Sequence, residues 1–216
     1  MTFDSAYRRL QVALREPLPG AEAQALMAPR PRRDWPEGFN QAHVRHAAGL
    51  LLLFPIEGDA HIVLTLRADT LGRHGGQISL PGGVAEAGET FEDAALREAH
   101  EEVALPAAIV HVLGRLTPID IPVSGFRLHP VVGAAATRPP LRPADGEVAG
   151  ILEVAIADLF DSSHRGTVTR LREGREVIAP TFRVGNAEVW GATAMVLAEF
   201  LTLLGWNPGM PPDSKR

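Results

Sequence analysis

The stretch from Leu80 to Val103 constrains this chain more than any other. It opens on Leu80-Pro81-Gly82-Gly83, which is poorly suited to a helix interior, and runs into Thr90–Val103, where a helix is expected. Thr90 followed by Asp93 has the spacing of a helix-start capping pair, and Leu105-Pro106 ends the element. On that helix Glu98, Glu101 and Glu102 stand at i, i+3 and i+4, so all three share one face. Like charges so placed repel by ~0.2–0.5 kcal/mol per pair on an exposed helix. A divalent cation removes the repulsion, because hard cations take carboxylate and carbonyl oxygens. Taken alone, the three acids read as a solvated face, glutamate being a good helix former. The surroundings favour a metal. Gly82-Gly83 permits backbone conformations that turn a carbonyl toward an ion, Glu86 and Glu89 lie between, and Arg97 can orient neighbouring carboxylates with its planar fork.

Around this core the chain reads as one mixed α/β domain. Phe3, Tyr7, Leu10 and Leu14 recur at helical spacing, with Asp4 or Ser5 as the expected cap, and this first helix stops near Pro17–Gly20. Residues 28–40, rich in Pro and Arg, are expected to form an irregular arm, as a loop over the core or with some arginines reaching a phosphate or a second subunit. Strands are expected at Ala47–Phe54, His61–Arg67, Ile109–Leu116, Leu128–Ala135, Val148–Val154, Thr167–Arg172 and Glu176–Phe182. A short helix is expected at Ala155–Phe160 and a final one at Trp190–Leu204. His43 and His46 have no acidic or cysteine companion and are read as incidental. His100, about 100° around the helix from Glu101, is read as a packing or surface residue.

Composition narrows the function. With 21 Lys plus Arg against 26 Asp plus Glu, the formal charge is −5, which disfavours a nucleic-acid partner and leaves room for a local basic patch toward a small phosphorylated ligand. The chain has no cysteine, so disulfides, thiolate zinc sites and cysteine nucleophiles are excluded. The longest apolar run, Ala47–Ile56, is far short of the ~20 residues that span a bilayer. The N-terminus lacks the basic and apolar regions of a secretory signal, and Ser214-Lys215-Arg216 does not end in the leucine of the peroxisomal tripeptide. A soluble cytoplasmic protein, not bound to membrane, is the expectation.

The carboxylate helix resembles that of the Nudix hydrolases. Their motif of Gly, five residues, Glu, seven residues, Arg-Glu, an aliphatic, any residue, Glu-Glu, any residue, Gly and an aliphatic maps onto Gly83, Glu89, Arg97, Glu98, Ala99, Glu101, Glu102, Ala104 and Leu105. Every charged position matches; Ala104 stands where the family has Gly, and Ala99 where a larger aliphatic is usual. The resemblance implies an α/β/α sandwich around a central mixed β-sheet and hydrolysis of a nucleoside diphosphate linked to another group. It implies Mg²⁺ or Mn²⁺ held by Glu98, Glu101 and Glu102 with the Gly82 carbonyl, while Glu89 and Arg97 orient the cluster or contact a second ion. A late-strand carboxylate outside the motif serves as ligand or base in many such enzymes, which makes Glu147 a catalytic candidate beside Glu101, Glu102 and Arg97. Its alternative is a surface loop acid.

Upstream, Leu64-Thr65-Leu66-Arg67-Ala68, His74-Gly75-Gly76-Gln77 and Pro81-Gly82-Gly83 resemble the additional signature of the coenzyme A pyrophosphatase branch. Gly72 stands at the second Arg position of that signature, with Arg73 adjacent, and Leu80 replaces Phe. The resemblance implies coenzyme A plus water giving 4′-phosphopantetheine and adenosine 3′,5′-bisphosphate, with Arg67, Arg73, His74, Gly76 and Gln77 on the substrate. Arg67 equally reads as a strand-end arginine paired with a carboxylate. Alternatives are a Nudix diphosphatase for another nucleoside diphosphate derivative, such as ADP-ribose or NADH, and a non-catalytic nucleotide-binding module. The expected organisation is an N-terminal helix and arm over residues 1–46, a Nudix domain over 47–205 and a tail over 206–216. A homodimer is open.

Overall fold

The computed structural model describes residues 1–68, 76–144, 146–172 and 174–208, the side chains of Arg172 and Arg175 excepted. Its centre is strand β1 (Arg45–Ile56), whose residues Ala48 and Leu50–Phe54 are buried. A strand apolar on both faces must be covered on both, and the two faces sort by parity. Leu51 and Leu53 join Ile62, Leu64, Val132 and Val196 in one core, while Ala48, Leu50, Leu52 and Phe54 join Val63, Ala95, Ala99 and Val103 in the other.

β1 pairs in parallel with β7 (Phe126–Ala135) and antiparallel with β2 (Asp59–Arg67). The sheet runs β3 (Ile78–Ser79), β2, β1, β7, β5 (Val110–Arg115). Three further strands join it off this path: β4 (Gly82–Val84) on β1, β6 (Ile119–Ile121) on β7 and β8 (Val148–Ala155) on β2. Helix α3 (Phe91–Val103) covers one face; α1 (Phe3–Ala13) and α5 (Ala192–Leu203) cover the other, with α4 (Ile156–Phe160) alongside. The expected α/β/α sandwich with a mixed sheet is the architecture found.

Several local expectations change. The cap of α1 is Thr2, whose hydroxyl accepts from the Ser5 N–H at 3.4 Å, in place of Asp4 or Ser5. An additional short helix, α2 (Gly20–Ala25), precedes the arm; it carries no apolar periodicity of its own and lies against α5. The arm is pinned at Arg30, which exchanges both backbone hydrogen bonds with Ile178. Ile178 belongs to a separate antiparallel sheet of β9 (Arg165–Arg172), β10 (Arg175–Val184) and β11 (Ala187–Val189). Gly82 and Gly83, expected in a loop with unusual dihedrals, form strand β4, pairing with Gly49 and Ala48, and neither has a positive φ. Among the described residues no helix is long and apolar enough to cross a membrane.

Candidate active site

Helix α3 starts as its sequence demands: the Thr90 hydroxyl accepts from the Asp93 N–H at 3.1 Å and donates to the Asp93 carboxylate at 2.6 Å. Ala94, Ala95, Ala99 and Val103 pack on the sheet, and the small alanines let the helix lie close to it. Ala99 is fully buried there, so the short side chain in place of a larger aliphatic belongs to core packing.

The acids divide between two partners. Arg97 gathers three of them: its Nε donates to Glu89 at 2.9 Å, and its Nη1 to Glu98 at 2.9 Å and Glu101 at 3.2 Å. The third nitrogen, Nη2, donates to Glu89 at 3.1 Å and to the Val84 carbonyl at 3.0 Å, tying the helix to β4. Glu89 is held further by the Glu86 N–H at 3.0 Å. Glu102 turns the other way and accepts from the Gly82 N–H at 3.2 Å. Glu101 lies on the rim, its side chain 57% exposed against 17% for Glu98.

Glycine is required at positions 82 and 83 for room rather than for dihedral freedom. A methyl on Gly83 would fall onto the Glu98 carboxylate, and one on Gly82 onto the Ala48 backbone carbonyl. Glu98 therefore lies flat against the glycine backbone, with Glu102 beside it.

Burial pushes the Glu102 carboxyl up to about 7; the nearby charges of Glu98 and Glu147 raise it further, while the Gly82 N–H and Arg67 oppose the rise. Those influences identify the company Glu102 keeps: two other acids and one arginine. Arg97 and, through it, Glu89 move oppositely. The hydrogen bond from Arg97, then that from the Glu86 N–H, holds Glu89 below the usual carboxylate range, and Arg97 itself is held protonated more firmly than a free guanidinium.

Arg67 ends β2 and is exposed. Its N–H donates to the Gln77 carbonyl and its carbonyl accepts from the Gly76 N–H, both at 3.0 Å, so Gly76–Gln77 is clasped to it by backbone. Glu147 stands exposed at the start of β8, its carbonyl accepting from the Ala68 N–H at 2.9 Å. Arg73 and His74 lie outside the described residues. Among the described residues no three acidic or imidazole side chains are arranged to enclose an ion as they stand, since Arg97 draws Glu89, Glu98 and Glu101 toward its own nitrogens. The donor chemistry nevertheless suits a hard cation: carboxylate oxygens against a glycine backbone that leaves space for them.

A model of the NUDIX domain matches residues 44–171. The chain belongs to the Nudix family. The uncharacterized Nudix hydrolase NudL of Yersinia pestis (strain Pestoides F) is 33% identical over 173 residues, covering 80% of this chain and 86% of that protein. NudL of Yersinia pseudotuberculosis (serotype O:1b, strain IP 31758) matches to the same extent. Among solved structures, a MutT/nudix family protein from Enterococcus faecalis shares the fold with a TM-score of 0.51 at 17% identity, covering 80% of this chain and 65% of that one. As a Nudix protein the chain is a hydrolase of nucleoside diphosphate derivatives, a class that generally uses divalent ions such as Mg²⁺ or Mn²⁺.

Two features of this Nudix chain escaped sequence reasoning. His129 on β7 is buried, stacked on Phe91 at a centroid distance of 3.6 Å and 2.9 Å from His46 (Nε2 to Nδ1). His46, read as incidental, is thus part of a packed trio at the start of α3. The second is the β10–β11 hairpin as a wall of the cleft that also holds Gln77, expected on the substrate, and Trp190. The Val184-Gly185-Asn186-Ala187 run carries a Gly-Asn hairpin signal that locates one of its walls.

Proposed function

We propose that this chain is a metal-dependent diphosphatase acting on coenzyme A and its derivatives, releasing adenosine 3′,5′-bisphosphate and 4′-phosphopantetheine. The observation that supports this reading is the meeting of two segments. Arg67 and Gly76–Gln77, which carry the coenzyme A branch signature, are joined by backbone hydrogen bonds, and five residues further on the chain reaches Gly82, whose N–H donates to Glu102 of α3 at 3.2 Å. One departure from that signature loses weight. Leu80, standing in place of Phe, is 6% exposed and packs in the core, where it meets the space over Gly49. It is a packing residue of the core.

Glu98, Glu101 and Glu102, with the Gly82 carbonyl and Glu89, would hold Mg²⁺ or Mn²⁺. When bound, such an ion neutralises diphosphate oxygens and lowers the pKa of a coordinated water. The chain's own residues do the rest. Arg97 fixes the orientation of Glu89, Glu98 and Glu101 through its fork. Arg67 offers a guanidinium to a phosphate oxygen. Glu147, exposed just before β8, would take a proton from water.

The deciding experiment is a turnover panel of coenzyme A, acyl-coenzyme A, ADP-ribose and NADH, with products identified. We expect coenzyme A to give adenosine 3′,5′-bisphosphate, activity to vanish with a chelator and Mg²⁺ or Mn²⁺ to restore it. Preferred turnover of ADP-ribose or NADH would replace coenzyme A as the substrate, and metal-independent turnover would remove the metal assignment.

A further inference from the structure

The cleft beside Gln77 has about 780 Å³ of space, within the range of small-molecule sites. Its lining includes Gln77, Arg170, Arg183, Asn186, Glu188 and Trp190. Three observations bear on what it holds. First, the Arg170 guanidinium lies over the Trp190 ring, 5.7 Å from its centroid, joining a cation to an aromatic surface. Second, Arg183 is exposed and, among the described residues, neither it nor Arg170 forms an ion pair. Its guanidinium rests over Gly166, where a Cβ would come within 3.1 Å of Nε and Nη2, so a glycine keeps its place open. Third, the cleft adjoins the active site: Gln77 is bonded by backbone to Arg67, and the five residues from Gln77 to Gly82 reach at most about 18 Å.

Trp190 directly follows Val189, which pairs with Phe182, the neighbour of Arg183. Arg183 itself pairs with Glu188, two residues before Trp190, so the ring and the Arg183 charge come from one hairpin and line the same cleft. A flat ring against Trp190 and Arg170, with a phosphate offered to Arg183, is the arrangement that a nucleotide bearing a phosphate beyond its diphosphate would use.

We infer that this cleft binds the nucleotide half of the substrate, its base lying against Trp190 and Arg170 and its ribose 3′-phosphate meeting Arg183. The assignment rests on the coenzyme A reading above. It gives the β9–β11 sheet a role in specificity, since that sheet supplies both arginines. The extra phosphate then decides which diphosphates are accepted: those with it gain an ionic contact that ADP-ribose and NADH lack.

Calorimetric titration of the full chain with adenosine 3′,5′-bisphosphate and with adenosine 5′-monophosphate tests this without turnover. The bisphosphate is expected to bind at least tenfold more tightly, and Arg183→Gln, a surface substitution, to abolish most of that difference. Charge-assisted hydrogen bonds are of a strength that yields about 10–100-fold. Trp190→Leu should weaken both ligands about tenfold, and Trp190→Phe should restore them, because stacking needs a ring rather than an indole. In turnover, Arg183→Gln should lower the ratio of kcat/KM for coenzyme A to that for 3′-dephospho-coenzyme A at least tenfold. Equal binding of the two nucleotides, or an undiminished preference in Arg183→Gln, overturns the subsite. If the bisphosphate preference behaves as expected while coenzyme A is not cleaved, the subsite stands and the substrate reading falls.

Discussion

Glu98 and Glu102 sit one helical turn apart, yet their neighbours differ. Glu98 is ion-paired to Arg97 and lies against Gly83, whereas Glu102 is turned inward on the Gly82 N–H among other acids. Glu102→Gln keeps the size and removes the charge, so turnover should fall by several orders of magnitude while thermal unfolding stays near that of the unsubstituted chain. The two glycines separate function from folding in a second way. Gly83→Ala pushes a methyl into a side-chain carboxylate, which can rotate away; we expect roughly a hundredfold loss of turnover with little loss of stability. In Gly82→Ala the methyl meets the backbone of Ala48, which cannot yield, and denaturant unfolding should show a loss of about 2 kcal/mol or more.

At the scale of the element, both ends of α3 carry information. Its cap Ala104 adopts φ 54° and ψ 30°, the left-handed conformation in which the family motif has glycine. The departure therefore leaves the exit of the helix unchanged and strains the alanine instead. Ala104→Gly should stabilise the chain by about 1 kcal/mol, raising Tm by some 2–4 °C for a protein of this size.

At the other end, burial and then the proximity of His46 push His129 down to about 4 from its ordinary value of 6.5. Above pH 6.5 the imidazole is neutral in both folded and unfolded chains. Between about pH 6.5 and 4 the unfolded chain takes a proton that the folded one refuses. Stability therefore falls as pH falls through this window, by up to about 3 kcal/mol. Unfolding midpoints measured across the window should show this decline, and His129→Gln should flatten it.

Across the whole molecule, one buried acid holds distant segments together. Glu199 of α5 is fully buried and accepts from the Gln24 amide at 2.8 Å, the Thr117 N–H at 3.2 Å and the Thr117 hydroxyl at 2.7 Å. Gln24 also donates to the Thr117 carbonyl at 2.9 Å, so α2, α5 and the segment entering β6 share one network. Glu199→Ala leaves those donors unsatisfied and should cost about 3 kcal/mol or more in urea unfolding. Glu199→Gln, which keeps an acceptor, should cost less.

Local order was legible wherever the physics was local. The 3.6-residue period placed Glu98, Glu101 and Glu102 on α3, Thr90 and Asp93 capped it as their spacing required, and the apolar run at Ala47–Phe54 marked the central strand. What spacing cannot express is which face meets what. That Glu101 lies at the rim while Glu102 is half-buried on the Gly82 N–H follows from β4 pairing with β1, a contact across more than thirty residues of chain. The reason for glycine at 82 and 83 likewise emerged only with Ala48 and Glu98 beside them, because a close approach is a property of two segments. The cleft draws Gln77, Arg170 and Trp190 from widely separated elements. The sequence alone determined the carboxylate helix and its membership in a metal-using class; the packing of that helix on its sheet decided what surrounds it, since burial and electrostatic fields arise only between parts of a chain brought together by folding.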